Sequence, residues 1–261
     1  MDLLVDADIL ACQFAYAYEA RRGGGGVRAA VAVGGDMDGE ARGDGLRNSG
    51  KWAIAGFDSA VERMLKQTRT DKAILCFTGC ENFRYAILPT YKANRRGAPR
   101  PVLLDVLIEH ARQVWECRSE DSLEADDVMG VMATRSPRSY VVASTDKDLK
   151  QVPGVHYNWR TDCMERVTTP DADYWFYFQV LTGDSTDGYS GCPGVGPRRA
   201  KTVLEGAGAH PWASIVAAFE SKGLTEEDAL AQARVARILR CDDYDFVRRR
   251  PIMWRPRLDW A

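Results

Sequence analysis

Carboxylates in this chain recur at short spacings beside short apolar runs. Asp6 and Asp8 follow LLV, and Glu124, Asp126 and Asp127 fall within LEADDVMG. Asp146 and Asp148 follow YVVAST, and Asp184 and Asp187 belong to GDSTDG. Any one of these acids reads equally well as a helix cap or a solvated turn residue, because acids in a first helical turn suit the positive end of the helix dipole. The set as a whole does not read that way. In an alternating strand–helix protein the strand ends face one crevice, and so much negative charge in one place calls for positive charge inside it. Divalent metal is the simplest answer, with two hard cations, magnesium or manganese, as the expected occupants. Two such ions about 3.5–4 Å apart activate a water and stabilise the leaving oxygen of a phosphodiester.

Two basic stretches point to a nucleic-acid substrate for that chemistry. In residues 83–100, FRYAILPTYKANRRGAPR, the cations Arg84, Lys92, Arg95, Arg96 and Arg100 interleave with Phe83, Tyr85 and Tyr91. Rings on which bases stack, beside cations that hold phosphates, make a platform for single strands. A solvated loop explains the charges but not so many rings. In residues 191–204, GCPGVGPRRAKTVL, Gly194 and Gly196 frame a tight turn and Pro197 suits the first position of a helix. Backbone N–H groups at such a turn, with the helix N-terminus, receive a phosphate. Arg198, Arg199 and Lys201 add charge beside it. The expected contact is a duplex backbone, gripped without base specificity. Residues 175–178 read as core packing of a helix, and the arginine-bearing tail 248–257 as a solvated end.

The elements that must position these groups follow from the apolar periods. Residues 3–5, 73–77, 140–143 and 155–159 read as strands. Residues 9–18, 57–67, 102–115 and the continuation of the acidic motif through 134 read as helices. Strands alternating with helices imply a largely parallel sheet covered on both faces. From about residue 170 the texture is helical, over 174–182, 200–204, 212–219 and 226–240, the last opened by Thr225 and Asp228 at capping-box spacing. Residues 21–50 are Gly-rich and bury too little to offset their ordering entropy, so they read as a mobile insertion.

With 261 residues, 45% hydrophobic, the chain is large enough for a full core and a smaller appendage. A net charge of −2 advertises no nucleic-acid partner, but an acidic pocket and a basic face cancel in that sum. The cysteine count is odd, there is no CxxC pair, and no His lies near a Cys, so zinc-site spacing is absent. No run approaches membrane-spanning length. The reading is a cytoplasmic protein with free thiols.

Taken in order, VDAD, FRYAILPTYKANR, LEADDVMG, STDKDLKQVPG and GDSTDGYSGCPGVGPRRAKTVL resemble the flap endonuclease/5′–3′ exonuclease superfamily. Within it the chain looks most like the replication exonucleases of short-tailed bacteriophages, through the ARILR and MWRP segments as well. The resemblance covers most of the chain outside the Gly-rich insertion. It implies an α/β, PIN-like (Rossmann-like) nuclease core over residues 1–170, with an arch or clamp at 83–101, followed by a helix–three-turn–helix DNA-binding region over 171–261. It carries metal-ligand roles onto Asp6, Glu124, Asp126, Asp127, Asp146, Asp148, Asp184 and Asp187. Asp6, Glu124 and Asp126 would hold the first ion and the four later acids the second, with Asp127 assisting either. Lys92 and Arg95 match basic residues near the scissile phosphate, and Tyr91 an aromatic that stacks on a terminal base. The turn 191–196 matches a segment that grips duplex phosphates, often through a monovalent cation such as K+. The implied substrates are 5′ ends of double-stranded, nicked, gapped or branched DNA, and RNA–DNA hybrids, in company with replication proteins in the cytoplasm, that of the host if phage-encoded.

One departure stands out. Relatives carry an acid just after the strand at 73–77, where this chain reads Phe77, Thr78, Gly79, Cys80, Glu81. Either one metal is held with fewer direct ligands, or Glu81 reaches in; Asp8 is an extra acid. Two rival readings follow. VDAD with GDSTD also mimics a haloacid-dehalogenase-like phosphatase, although Leu10 stands where that family wants Thr. The absent acid also allows a nuclease-like fold that only binds branched DNA.

Overall fold

The structure is a computed structural model describing residues 1–21, 50–95, 97–136, 139–208 and 210–256. The Gly-rich stretch therefore lies outside the described residues, apart from its two ends, as do Arg96 and Arg257. Six strands form one sheet: β1 (Asp2–Asp6), β2 (Ala73–Cys76), β3 (Glu116–Arg118), β4 (Tyr140–Ala143), β5 (Gly154–Asn158) and β6 (Cys163–Val167), in the order β3-β2-β1-β4-β5-β6. All neighbours pair in parallel except β5 and β6, which are antiparallel. Strand order reverses between β1 and β4, and a crevice opens at the carboxyl ends of the strands at such a switch point.

Alternation along β1 builds two cores, because successive side chains leave a strand on opposite faces. Leu3 and Val5 pack under α1 (Ala7–Arg21), α2 (Lys51–Thr68) and, beyond the short α3 (Arg84–Ile87), α4 (Leu104–Val114), with Leu10, Phe57, Val61 and Leu107 fully buried. Leu4, Ile74 and Val142 face the other way, onto Val128 and Met129 of α5 (Ala125–Arg135). A third cluster joins α6 (Thr169–Thr182), α7 (Pro197–Glu205), α8 (Pro211–Glu220) and α9 (Glu226–Ala236) around Phe176, Val180, Ile215 and Phe219. No helix among the described residues is long and apolar enough to cross a membrane. All seven cysteines are free.

Periodicity misses two strands and misplaces the ends of two helices. The edge strand β3 has three residues, and β6 is exposed over its first four, so neither shows an apolar period. Helix α6 begins at Thr169, well before its aromatic run, because the Thr168 side chain accepts the amide of Asp171 in a reciprocal capping box. Helix α9 stops at Ala236 rather than Arg240. Side chains from the sheet layer take over the next amides: Ile238 donates to Gln151 Oε1 at 3.1 Å and Leu239 to Asp127 Oδ1 at 3.0 Å. The chain then runs extended against α5, where Ile238 and Leu239 complete the second core.

Candidate active site at the carboxyl end of the sheet

Asp6 ends β1 and is almost fully buried, its carboxylate accepting the Ser144 hydroxyl at 2.7 Å and the Ile9 amide at 3.2 Å. Ser144 follows β4, and its oxygen accepts the amide of Asp146 at 2.9 Å. Asp146 Oδ1 accepts the amide of Asp148 at 2.8 Å, and Asp148 Oδ1 accepts Gln179 Nε2 from α6 at 2.7 Å. Gln151 Nε2 supplies the last link, donating to Gln179 Oε1 at 2.6 Å. One hydrogen-bonded chain thus runs from β1 through the loop after β4 into the helical layer.

Electrostatics separate this cluster from ordinary surface acids. Burial, reinforced by Asp8 and Asp146, raises Asp6 from the usual 3.8 to about 7. Burial and Asp146 also raise Asp148 to about 7. Asp126 is pushed well above the ordinary range by burial, with Asp6, Asp146 and Glu124 as negative neighbours. These carboxylates face one another with too little positive charge among them.

A second, compensated group sits at the mouth. Burial would raise Glu124, but Arg84 and Lys92 outweigh it and hold its carboxyl at about 2. Glu124 is the N-cap of α5 and accepts the Tyr91 hydroxyl at 2.7 Å and the Lys92 ammonium. Asp187 lies 3.7 Å from Lys92 Nζ and accepts Arg95 Nη2 at 2.6 Å. Asp184 accepts the Thr186 amide at 2.7 Å and faces Lys147 at 3.5 Å. Burial acts to raise Asp184, yet that amide and Lys147 leave it lowered. The GDSTDG loop docks directly on the basic stretch: Lys92 N donates to Asp187 O at 2.7 Å, and Gly188 has φ +76° with room only for hydrogen beside Thr90 O. Among the described residues no group of three or more His, Cys, Asp and Glu side chains forms a ready metal cage.

Comparisons with known proteins bear on the family and the fold. Residues 41–173 match the model of the 5′–3′ exonuclease N-terminal resolvase-like domain. The chain is 34% identical over 222 residues to an exonuclease of Escherichia phage T7, covering 70% of this chain and 73% of the relative. The chain belongs to the 5′–3′ exonuclease family. An exodeoxyribonuclease of Enterobacteria phage T3 is 33% identical over 223 residues, again with 70% and 73% coverage. Among solved structures, a T5 flap endonuclease in a pseudo-enzyme–product complex with DNA and metal ions superposes at a TM-score of 0.65, 14% identical, covering 90% of this chain and 88% of that one. Its likeness supports the fold of this exonuclease chain.

Three residues expected at the metal or the DNA are placed elsewhere. Asp127 is fully buried beneath the crevice, both its oxygens taken by the Arg84 guanidinium at 2.6 and 2.8 Å and by the amides of Glu124 and Leu239. Those bonds leave no oxygen directed at a cation. Arg84, expected at DNA, is 2% exposed, and also donates to the carbonyls of Val235 and Arg237. It pins α3, α5 and the end of α9 together. Tyr91, expected to stack on a base, has its ring inside the helical core, and its hydroxyl orients Glu124. In the opposite sense, Arg198, Arg199 and Lys201 are exposed on α7, with Gly194 and Gly196 exposed before them around buried Val195.

Sequence reasoning missed Ser144, Gln151 and Gln179. Gln179 interrupts the apolar run WFYFQVL, and a buried amide in such a run needs partners; that was the available signal. Ser144 and Gln151 lie within STDKDLKQVPG, but the resemblance there assigned a role only to the two acids.

Proposed function

We propose that this chain hydrolyses phosphodiester bonds at the 5′ ends of duplex, nicked or gapped DNA with two divalent cations, magnesium or manganese, in the crevice. The observation that carries the reading is the mutual repulsion of Asp6, Asp126 and Asp146 at the β1/β4 switch point, in a member of the 5′–3′ exonuclease family. Hard oxygen donors facing one another without counter-charge suit a hard cation. Asp6, Glu124, Asp126, Asp146, Asp148, Asp184 and Asp187 would hold the ions. When bound, these ions supply an activated water and stabilise the leaving oxygen.

The remaining work belongs to the chain itself. Lys92 and Arg95, held at the mouth by Glu124 and Asp187, neutralise charge developing on the phosphoryl oxygens. Ser144 and Gln179 hold Asp6 and Asp148 in fixed orientation. The 191–196 turn and α7, with Arg198, Arg199 and Lys201, grip duplex phosphates, and backbone carbonyls there suit a potassium ion. On this reading residues 1–170 are the nuclease core and 171–261 the DNA-binding region. RNA–DNA hybrids, replication proteins and action in a host cytoplasm extend the same proposal.

The test is a nicked duplex labelled at the 5′ side of the nick, incubated with and without magnesium beside an Asp184→Asn variant. Short labelled products requiring both metal and Asp184 are the expected result, and their lengths separate exonuclease from flap cutting. Tight binding without cleavage in magnesium or manganese would leave the non-catalytic, structure-specific binder instead. The phosphatase reading has lost its ground with the family match.

A further inference from the structure

We propose that Asp8 is a further ligand of the divalent-cation site, supplying from the start of α1 the carboxylate that the loop after β2 lacks. The inference rests on the metal-dependent reading above. The loop after β2 runs Phe77, Thr78, Gly79, Cys80, Glu81, and its one acid, Glu81, is exposed. Gly79 leaves no room for an acid in its own place. A Cβ there would stand 2.0 Å from the carbonyl oxygen of Glu120, and the Gly79 amide donates to Leu123 O at 2.9 Å. The loop is clasped against the segment that leads into Glu124, and that clasp requires glycine.

Asp8 crosses to the position so emptied. Its Oδ2 accepts the Thr78 amide at 3.0 Å, which puts the carboxylate at the carboxyl end of β2 although the residue belongs to the helix after β1. The amide it accepts lies in another element rather than in its own helix, so it is not simply an N-terminal cap. Thr78 ties the same point to the acidic helix, since its hydroxyl oxygen accepts the Ala125 amide at 3.2 Å. Asp8 therefore stands beside the first turn of α5, with Glu124 and Lys92 as its charged neighbours. The Thr78 side chain bonds the same carboxylate, so Asp8 is held in a defined orientation at the mouth of the crevice, and fixed carboxylate oxygens are what a hard cation takes as ligands.

The test is a manganese titration of the full chain, without DNA, followed by electron paramagnetic resonance. Asp8→Asn and Glu81→Gln are run beside the unaltered protein, with circular dichroism to confirm folding. The expected result is a loss of affinity for at least one ion in Asp8→Asn of about 10-fold or more, since even groups that only orient a ligand contribute about 10–100-fold. Glu81→Gln should bind as the unaltered chain does. If Asp8→Asn does not fold, Asp8→Ser takes its place. Unchanged manganese binding in a folded Asp8 variant overturns the inference while leaving the metal-dependent reading intact. A loss confined to Glu81→Gln also overturns it, and no manganese binding by the unaltered chain overturns both.

Discussion

Asp126 and Asp127 are chain neighbours in the first turn of one helix, yet they occupy opposite electrical environments. Asp126 faces the crevice, where Asp6, Asp146 and Glu124 make its negative charge unfavourable. Asp127 faces inward, where the Arg84 fork and two backbone amides satisfy both of its oxygens. Helical geometry separates the two, because successive residues project about 100° apart around a helix with 3.6 residues per turn. The difference teaches how a nuclease core carries a concentration of carboxylate charge. One wall is left strained for cations, and the layer beneath is locked by an ion pair that needs none.

The largest expected effect comes from exchanging each acid for its amide. Asp126→Asn should lower turnover on the order of 10³-fold or more, since a cation site supplies several kcal/mol at the transition state. Its stability without metal should be unchanged or higher, because a repelled carboxylate is gone. Asp127→Asn should do the reverse, leaving the buried Arg84 with Glu124 at 3.3 Å as its remaining carboxylate partner, at a cost of about 3–5 kcal/mol in urea denaturation. Equal losses of stability in both variants would erase the contrast between the two acids.

Acidity sharpens the same contrast. Asp6 and Asp148 are raised to about 7 in the folded chain, so each favours folding most when protonated. Their stabilising contribution is complete below the unfolded value near 3.8 and is lost as pH rises through about 7. The chelator-treated protein should therefore melt at a higher temperature at pH 5 than at pH 8. Glu124, lowered to about 2, works in the opposite direction only at more acid pH, so the trend should reverse below about 4. Melting curves across that range, with and without magnesium, check both signs; with magnesium the loss toward pH 8 should shrink, because cations favour the ionised carboxylates.

The smallest effect concerns the link between the two layers. Gln179→Ala removes the donor to Asp148 and leaves Gln151 Nε2 with only the Ala236 carbonyl. A loss of about 1–3 kcal/mol of stability is expected for the unmet polar groups. If Gln179 also positions Asp148, kcat should fall while KM is held, and the more conservative Gln179→Asn should not restore it, because its shorter side chain withdraws the donor.

How much of this was legible beforehand depends on the reach of each interaction. The short apolar run at residues 140–143 marked β4 at its true limits, and the Thr225/Asp228 pair marked the start of α9, since both signals are local. The acids at strand ends were legible because parallel strands deliver their carboxyl ends to one side of a sheet. The Asp127–Arg84 pair spans 43 residues and the Asp8–Thr78 bond 70, and no pattern of spacing announces such partners.

The sequence by itself determined the α/β alternation, the acidic motifs, the basic turn before Pro197 and the membership of the 5′–3′ exonuclease family. These follow from residue type, period and order, which the chain carries locally. The tertiary structure alone decided which acid faces the crevice and which lies beneath it, that Tyr91 and Arg84 belong to the interior, and that a carboxylate from α1 stands at the end of β2. Those outcomes depend on which distant groups meet in a low-dielectric interior, where a charge is retained only beside its partner.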